Sequence, residues 1–211
     1  MDHLRDRWEK VWQKLNVIAP HEVFEELIRV YSLPERFYHN LSHIENCLSL
    51  FDQTLSLTIH SGEVELAIWF HDAVYDTRRN DNEQKSAEWT ESVINQSGVS
   101  SDVAERVSHL ILATRHNMEV TDTDAQLIID IDLSILGSEA DVFWRYEENI
   151  RKEYAWVPVH LFKQKRIEIL RGFLDRPYIY YHQQYREMFE EKARVNLKNA
   201  IMKLSDGTDL A

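Results

Sequence analysis

The chain has 211 residues, enough to bury a sizeable core and in the range of one large domain. It carries 24 Lys and Arg against 36 Asp and Glu, a formal net charge of -12 at pH 7. That balance argues against binding along a nucleic-acid polymer, because phosphate neutralisation needs clustered cations.

Average usage would supply about 15 glycines and about 10 prolines at this length, whereas the chain has Gly 5 and Pro 4. So little turn chemistry predicts an all-α protein, a single-domain helical bundle over residues 1–211. The opening stretch MDHLRDRWEKVWQKL is charged throughout rather than basic and then apolar, and no apolar run reaches the roughly 18 residues of a membrane span. A cytoplasmic protein without membrane contact is expected. Cys47 is the only cysteine, which excludes an internal disulfide and suits a reducing compartment; its plainest role is that of a small buried apolar side chain.

In chain order, Leu4, Trp8, Val11, Trp12 and Leu15 recur at helical spacing, followed by Val23, Phe24, Leu27, Ile28 and Tyr31. Pro20 and Pro34 punctuate these two helices. A third helix starts near Asn40 or Ser42 and carries Ile44, Leu48, Phe51 and Leu55. A fourth runs from about Gly62 through Leu66, Ile68, Trp69 and Phe70, with His71 and Asp72 at its end. The stretch TRRNDNEQKSAEWTESVI reads as a polar loop and then a helix stopped at Gly98. The next helix, from Ser101 or Asp102, delivers His116. LIIDIDLSILG places Asp130 and Asp132 in an apolar run that reads as a buried helix. Helices over about 138–156, 159–175 and 178–204 complete the chain, and the last is charged on one side, as an outer covering helix or a contact with a second copy in a homodimer would be.

The chemistry concentrates in a few words. In YHNLSHI, His39 and His43 are four apart and share one helix face if the helix already includes residue 39. The adjacent pair His71 and Asp72 can converge on one ion only where a helix ends and the backbone turns. Carboxylates buried in LIIDIDLSIL are costly unless paired, hydrogen-bonded or bound to metal. Imidazole with carboxylate suits a divalent ion such as Mn, Fe, Co, Ni or Zn, and the lack of a thiolate cluster argues against a structural zinc site.

The order His43, then His71 with Asp72, then Asp132, together with the words YHNLSHI, ELAIWFHDAVYD, LIIDIDLSILG and EYAWVP, resembles the HD superfamily of metal-dependent phosphohydrolases, and a bacterial subgroup of it in particular. The resemblance spans most of the chain. It implies an HD-type bundle in which His43, His71, Asp72 and Asp132 hold a divalent ion (Mn, Mg, Co, Ni, Zn or Fe). YHNLSH is also similar to the signature of cyclic-nucleotide phosphodiesterases in that superfamily, which implies that His39 protonates the leaving group. Tyr75 departs from their second motif, where a further histidine stands. Asp130 then falls behind Asp132 as a ligand, and His109 and His116 are candidates for a second metal or for substrate.

The expected activity is hydrolysis of a phosphate ester of a small molecule, a nucleotide or a related phosphate, by metal-activated water, with Asp72 and His39 as base and acid. Arg36, three residues before His39, and Lys165 and Arg166 on FKQKRIEILRGFLDRP are the candidates for holding phosphate. A di-iron oxygenase of the same sequence order and a non-catalytic nucleotide-binding signalling module are the rival readings. The aromatics Trp69, Phe70, Tyr75, Trp144, Tyr154 and Trp156 are either pocket wall or core.

Overall fold

A computed structural model describes residues 1–116 and 120–206, and among them every regular element is a helix. The protein is all-helical, as its scarce glycine and proline predict. The described helices form two compact units, Met1–Ile131 and Asp132–Ala211.

The first unit contains α1 (Asp2–Lys14), α2 (His21–Tyr31), α3 (Leu41–Gln53), α4 (Ser61–Phe70), α5 (Asn82–Gln96), α6 (Ser101–Ala113) and most of α7 (Thr123–Leu133). The division falls inside α7, so Asp132 and Leu133 continue a helix rooted in this unit. Helix α4 is apolar nearly all round, and every residue from Gly62 to Phe70 is buried. Such a helix must be covered on all sides, and α1, α3, α5 and α6 all pack against it.

Two glutamates interrupt the apolar surface of α4, and each is paired, because a lone buried carboxylate would cost several kcal/mol. Arg106 donates to Glu63 at 2.7 and 2.6 Å. Arg7 and Lys14 each donate to Glu65 at 2.8 Å. Near the other end of α4, Trp69 and Phe70 meet the Trp8 ring at 5.6 and 6.0 Å, with Trp12 and Phe24 also against Trp8 at 5.4 and 6.2 Å. Two of these pairs, Trp8 with Trp12 and Trp8 with Trp69, are edge-to-face, an arrangement the ring quadrupoles favour. The start of α4 is tied to α7, whose Asp124 carboxylate accepts from the Ile59 and His60 amides at 2.7 and 2.8 Å.

The second unit contains a 3-10 turn (Ser134–Gly137), α8 (Ala140–Glu153), α9 (Val159–Leu174), α10 (Gln183–Tyr185), a π-helical stretch (Arg186–Glu190) and α11 (Glu191–Ser205). LIIDIDLSILG is therefore α-helical only to Leu133. The last helix begins at Gln183 rather than near 178. Residues before it form a loop whose carbonyls are held by arginines: Arg186 donates to Tyr180 and Tyr181 at 2.8 and 2.6 Å, and Arg194 to Leu174, Arg176 and Pro177 at 3.1, 2.9 and 2.9 Å.

The 3-10 turn is pinned by Asn196 on α11, which donates to the carbonyls of Leu136 and Ser138 at 2.9 Å each. At Gly137 an added Cβ would lie 2.5 Å from both the Cβ and the carbonyl oxygen of Phe189. Backbone cannot yield as a flexible side chain can. Gly137→Ala is expected to lower stability by about 1–3 kcal/mol through overpacking, read as a reduced denaturant midpoint; an unchanged midpoint would show that the turn and the π-helical stretch can separate.

Candidate metal centre

Three helix ends build the site. The first is the start of α3, where the Asn40 side chain accepts from the Ser42 and His43 amides at 3.0 and 3.4 Å. Asparagine in this role fixes where the helix begins, and α3 opens at Leu41. His43 sits in the first turn and is buried. His39 precedes the cap, so it shares no helix face with His43 in the way its spacing suggested; the two rings are still near, with centroids 6.1 Å apart.

The second is the end of α4. The helix closes at Phe70, and the turn that follows carries His71 and Asp72. His71 donates from Nδ1 to the Ile68 carbonyl one turn back, at 2.9 Å. That bond sets the tautomer of a neutral His71 and leaves the Nε2 lone pair for the site. The third is the last turn of α7, which carries Asp132.

His43, His71 and Asp132 each offer one ligand atom, and the three atoms lie within 4.8 Å of one another. The Nε2 atoms of His43 and His71 are 3.1 Å apart. Asp72 Oδ2 approaches them at 3.5 and 3.0 Å. With Nδ1 as the donor, Nε2 of a neutral His71 and the Asp72 oxygen are both acceptors. Two acceptors in contact repel unless a proton or a cation lies between them.

A divalent ion fits this donor set. Two imidazole nitrogens each about 2.0–2.1 Å from one ion are at most about 4.2 Å apart, and the observed 3.1 Å is inside that limit. Nitrogen and carboxylate donors without thiolate favour Mn, Fe, Co, Ni or Zn. Burial pushes the Asp72 carboxyl up, but with the histidines protonated the charges of His71 and His39 and hydrogen bonds from His43 and His71 outweigh it and hold the group well below the usual carboxylate range.

Other residues singled out in the sequence have different places. Asp130, two residues before Asp132, is fully buried and is not one of the clustered trio. His109 is exposed on α6. His116 lies just past the end of α6, half-buried, with a left-handed backbone at φ 57°.

The three expected phosphate ligands are all engaged by protein groups. Arg36 is buried, and its guanidinium is turned to backbone: Nη1 donates to the His39 and Asp72 carbonyls at 3.1 and 2.7 Å, and Nη2 to the Ala73 carbonyl at 2.9 Å. It braces the ends of the site instead of reaching into it. Arg166 is buried too, bound to Glu147 through Nε at 3.1 Å and through Nη2, and to the Tyr146 hydroxyl at 2.8 Å. A guanidinium so engaged has its fork already filled. Lys165 lies on the exposed face of α9 beside Glu168, at 2.8 Å.

One contact went unread in the sequence, and another was signalled by spacing. Tyr75 stacks on His39 with centroids 4.1 Å apart and planes at 27°, and the buried Cys47 sulfur lies 3.7 Å from His43 Nδ1. The spacing of four places Cys47 on the His43 face of α3, as observed; the Tyr75 contact had no such signal.

Comparison of the chain with protein-family models, with curated proteins and with solved structures finds no match. No helix among the described residues is long and apolar enough to cross a membrane.

The donor geometry predicts about one divalent ion per chain after reconstitution with Mn, Co, Ni or Zn. His71→Ala and Asp132→Ala should each remove most of it, as read by elemental analysis of desalted protein. Full retention of metal in both variants would dismiss the trio as a binding site.

Proposed function

We propose that this chain is an HD-type metal-dependent phosphohydrolase that cleaves a phosphate ester of a small molecule, a nucleotide or a related phosphate. The observation that carries the reading is the convergence of His43, His71 and Asp132 from three helix ends, with Asp72 against both imidazoles. A packed core has no use for two buried imidazoles and two carboxylates at such distances, since each must find a proton or a partner. The order of these residues along the chain is also that of the family the sequence resembles.

On this reading His43, His71 and Asp132, with Asp72, hold the ion. It would supply Lewis acidity, lowering the pKa of a bound water and polarising a phosphoryl oxygen. The Asp72 carboxylate accepts a proton from the attacking water as the new P–O bond forms. His39, when protonated, gives its proton to the departing oxygen as the old P–O bond breaks. Arg36 contributes by holding the backbone at His39, Asp72 and Ala73. The reading also includes a cytoplasmic setting, in keeping with a lone cysteine, Cys47.

A panel of phosphomonoesters and phosphodiesters, assayed with each divalent ion, tests the proposal. Hydrolysis that depends on added metal and disappears in His71→Ala and Asp132→Ala is the expected result. His39→Ala should retain its metal while kcat falls by about 10²–10⁴-fold, the span of general acid catalysis. Undiminished turnover in His71→Ala would refute the assignment.

A further inference from the structure

The proton donor of the proposed reaction lies outside any helix, where a loop histidine would ordinarily sample several rotamers. His39 is instead enclosed. Its ring stacks on Tyr75 at 4.1 Å and meets Tyr38 edge-on at 4.9 Å and 82°. Its carbonyl is fixed by Arg36. Arg36 also touches both neighbouring rings, its Cζ lying 5.0 Å from the Tyr31 centroid and 5.6 Å from that of Tyr75.

Tyr31 is anchored in turn, its hydroxyl donating to the Trp69 carbonyl at 3.0 Å on the buried helix α4. The contacts run without a gap from α4 through Tyr31, Arg36 and Tyr75 to the His39 imidazole. Arg36 binds the carbonyls of both His39 and Asp72 through one nitrogen, so the loop bearing the acid and the turn bearing the base are held together.

We infer that Tyr75, backed by Arg36, is a positioning residue that aims the His39 imidazole at the leaving-group oxygen. The inference rests on the phosphohydrolase reading and adds to it a residue that acts through its ring. A stacked ring restricts rotation about the His39 side chain through its face, so the aromatic plane is what the role requires. The consequence is selective. Esters with a basic leaving group need the proton, whereas activated esters depart largely without it.

The test compares phenyl and p-nitrophenyl esters, in whichever of the phosphomonoester or phosphodiester series the metal-loaded wild type hydrolyses. For Tyr75→Leu the ratio of kcat on phenyl to kcat on p-nitrophenyl ester should fall by about 10–100-fold, with metal content and melting temperature confirming an intact site. Tyr75→Phe should keep the wild-type ratio. In a His39→Asn background, Tyr75→Leu should leave the ratio where His39→Asn has put it, because both changes remove one function.

An equal loss on both esters, a further fall in the double variant, or no change in Tyr75→Leu would overturn the positioning role while leaving the hydrolase standing. A metal-loaded wild type inactive on both ester series would instead overturn the phosphohydrolase reading, and the positioning role with it. A Tyr75→Leu protein that fails to fold transfers the decision to Tyr75→Trp, where a retained aromatic plane should preserve the ratio and a collapse of it would count against the inference.

Discussion

The enclosure of α4 governs the architecture around the site. A helix apolar on every face cannot lie at a surface, and covering it takes α1, α3, α5 and α6 together. Once it is enclosed its polar backbone must end somewhere, and it ends in a turn that bears His71 and Asp72. The last carbonyls of a helix lack partners within it. At this end one is met by a side chain of the site, since Ile68 accepts from His71. Just beyond it, Arg36 caps the carbonyls of Asp72 and Ala73. The groups that could hold an ion are thus partly the groups that finish the helix.

Placement at a buried helix end also explains the electrostatic character of the centre. Two imidazoles and a carboxylate are brought within about a hydrogen-bond length of one another with little water to screen them, so charge on one strongly biases the others. Asp72 is the clearest case, since burial alone would favour its neutral form and the histidines reverse that preference. The ion pairs elsewhere on α4 follow another pattern, each glutamate meeting arginine or lysine that reaches in from the surface. Carboxylate with guanidinium or ammonium is self-sufficient; carboxylate with paired imidazoles leaves room for a cation.

Much of this could be read from residue order. The scarcity of Gly and Pro foretold helices, and the unbroken apolar run before His71 foretold a buried one ending at the doublet. Spacing misled at His39, because Asn40 is a strong cap and a helix cannot include the residue before its cap. Asp130 and Asp132 look alike in composition, but residues two apart on a helix point to nearly opposite sides, and packing brings Asp132, the one the resemblance favoured, to the histidines. Arg36 was hardest. A positive charge near a proposed phosphate site suggests an anion ligand, yet nothing in the chain announces that three carbonyls will converge on it from two separate turns.

The carboxylate of Asp124 gives the centre a property that its own residues lack. Asp124 grips the backbone where α4 begins, while Asp132, on the same helix α7, joins the histidines where α4 ends. The span from Asp124 to Asp132 along α7 is about 12 Å, at 1.5 Å per residue. Helix α7 is fastened to the start of α4 at Asp124, so the reach of Asp132 toward the imidazoles is measured out along α7 from a fastening more than two helical turns away. The placement of Asp132 is calibrated by helix length, and inserting or deleting one residue anywhere in α7 between those points would rotate its final carboxylate by about 100° without changing any member of the cluster.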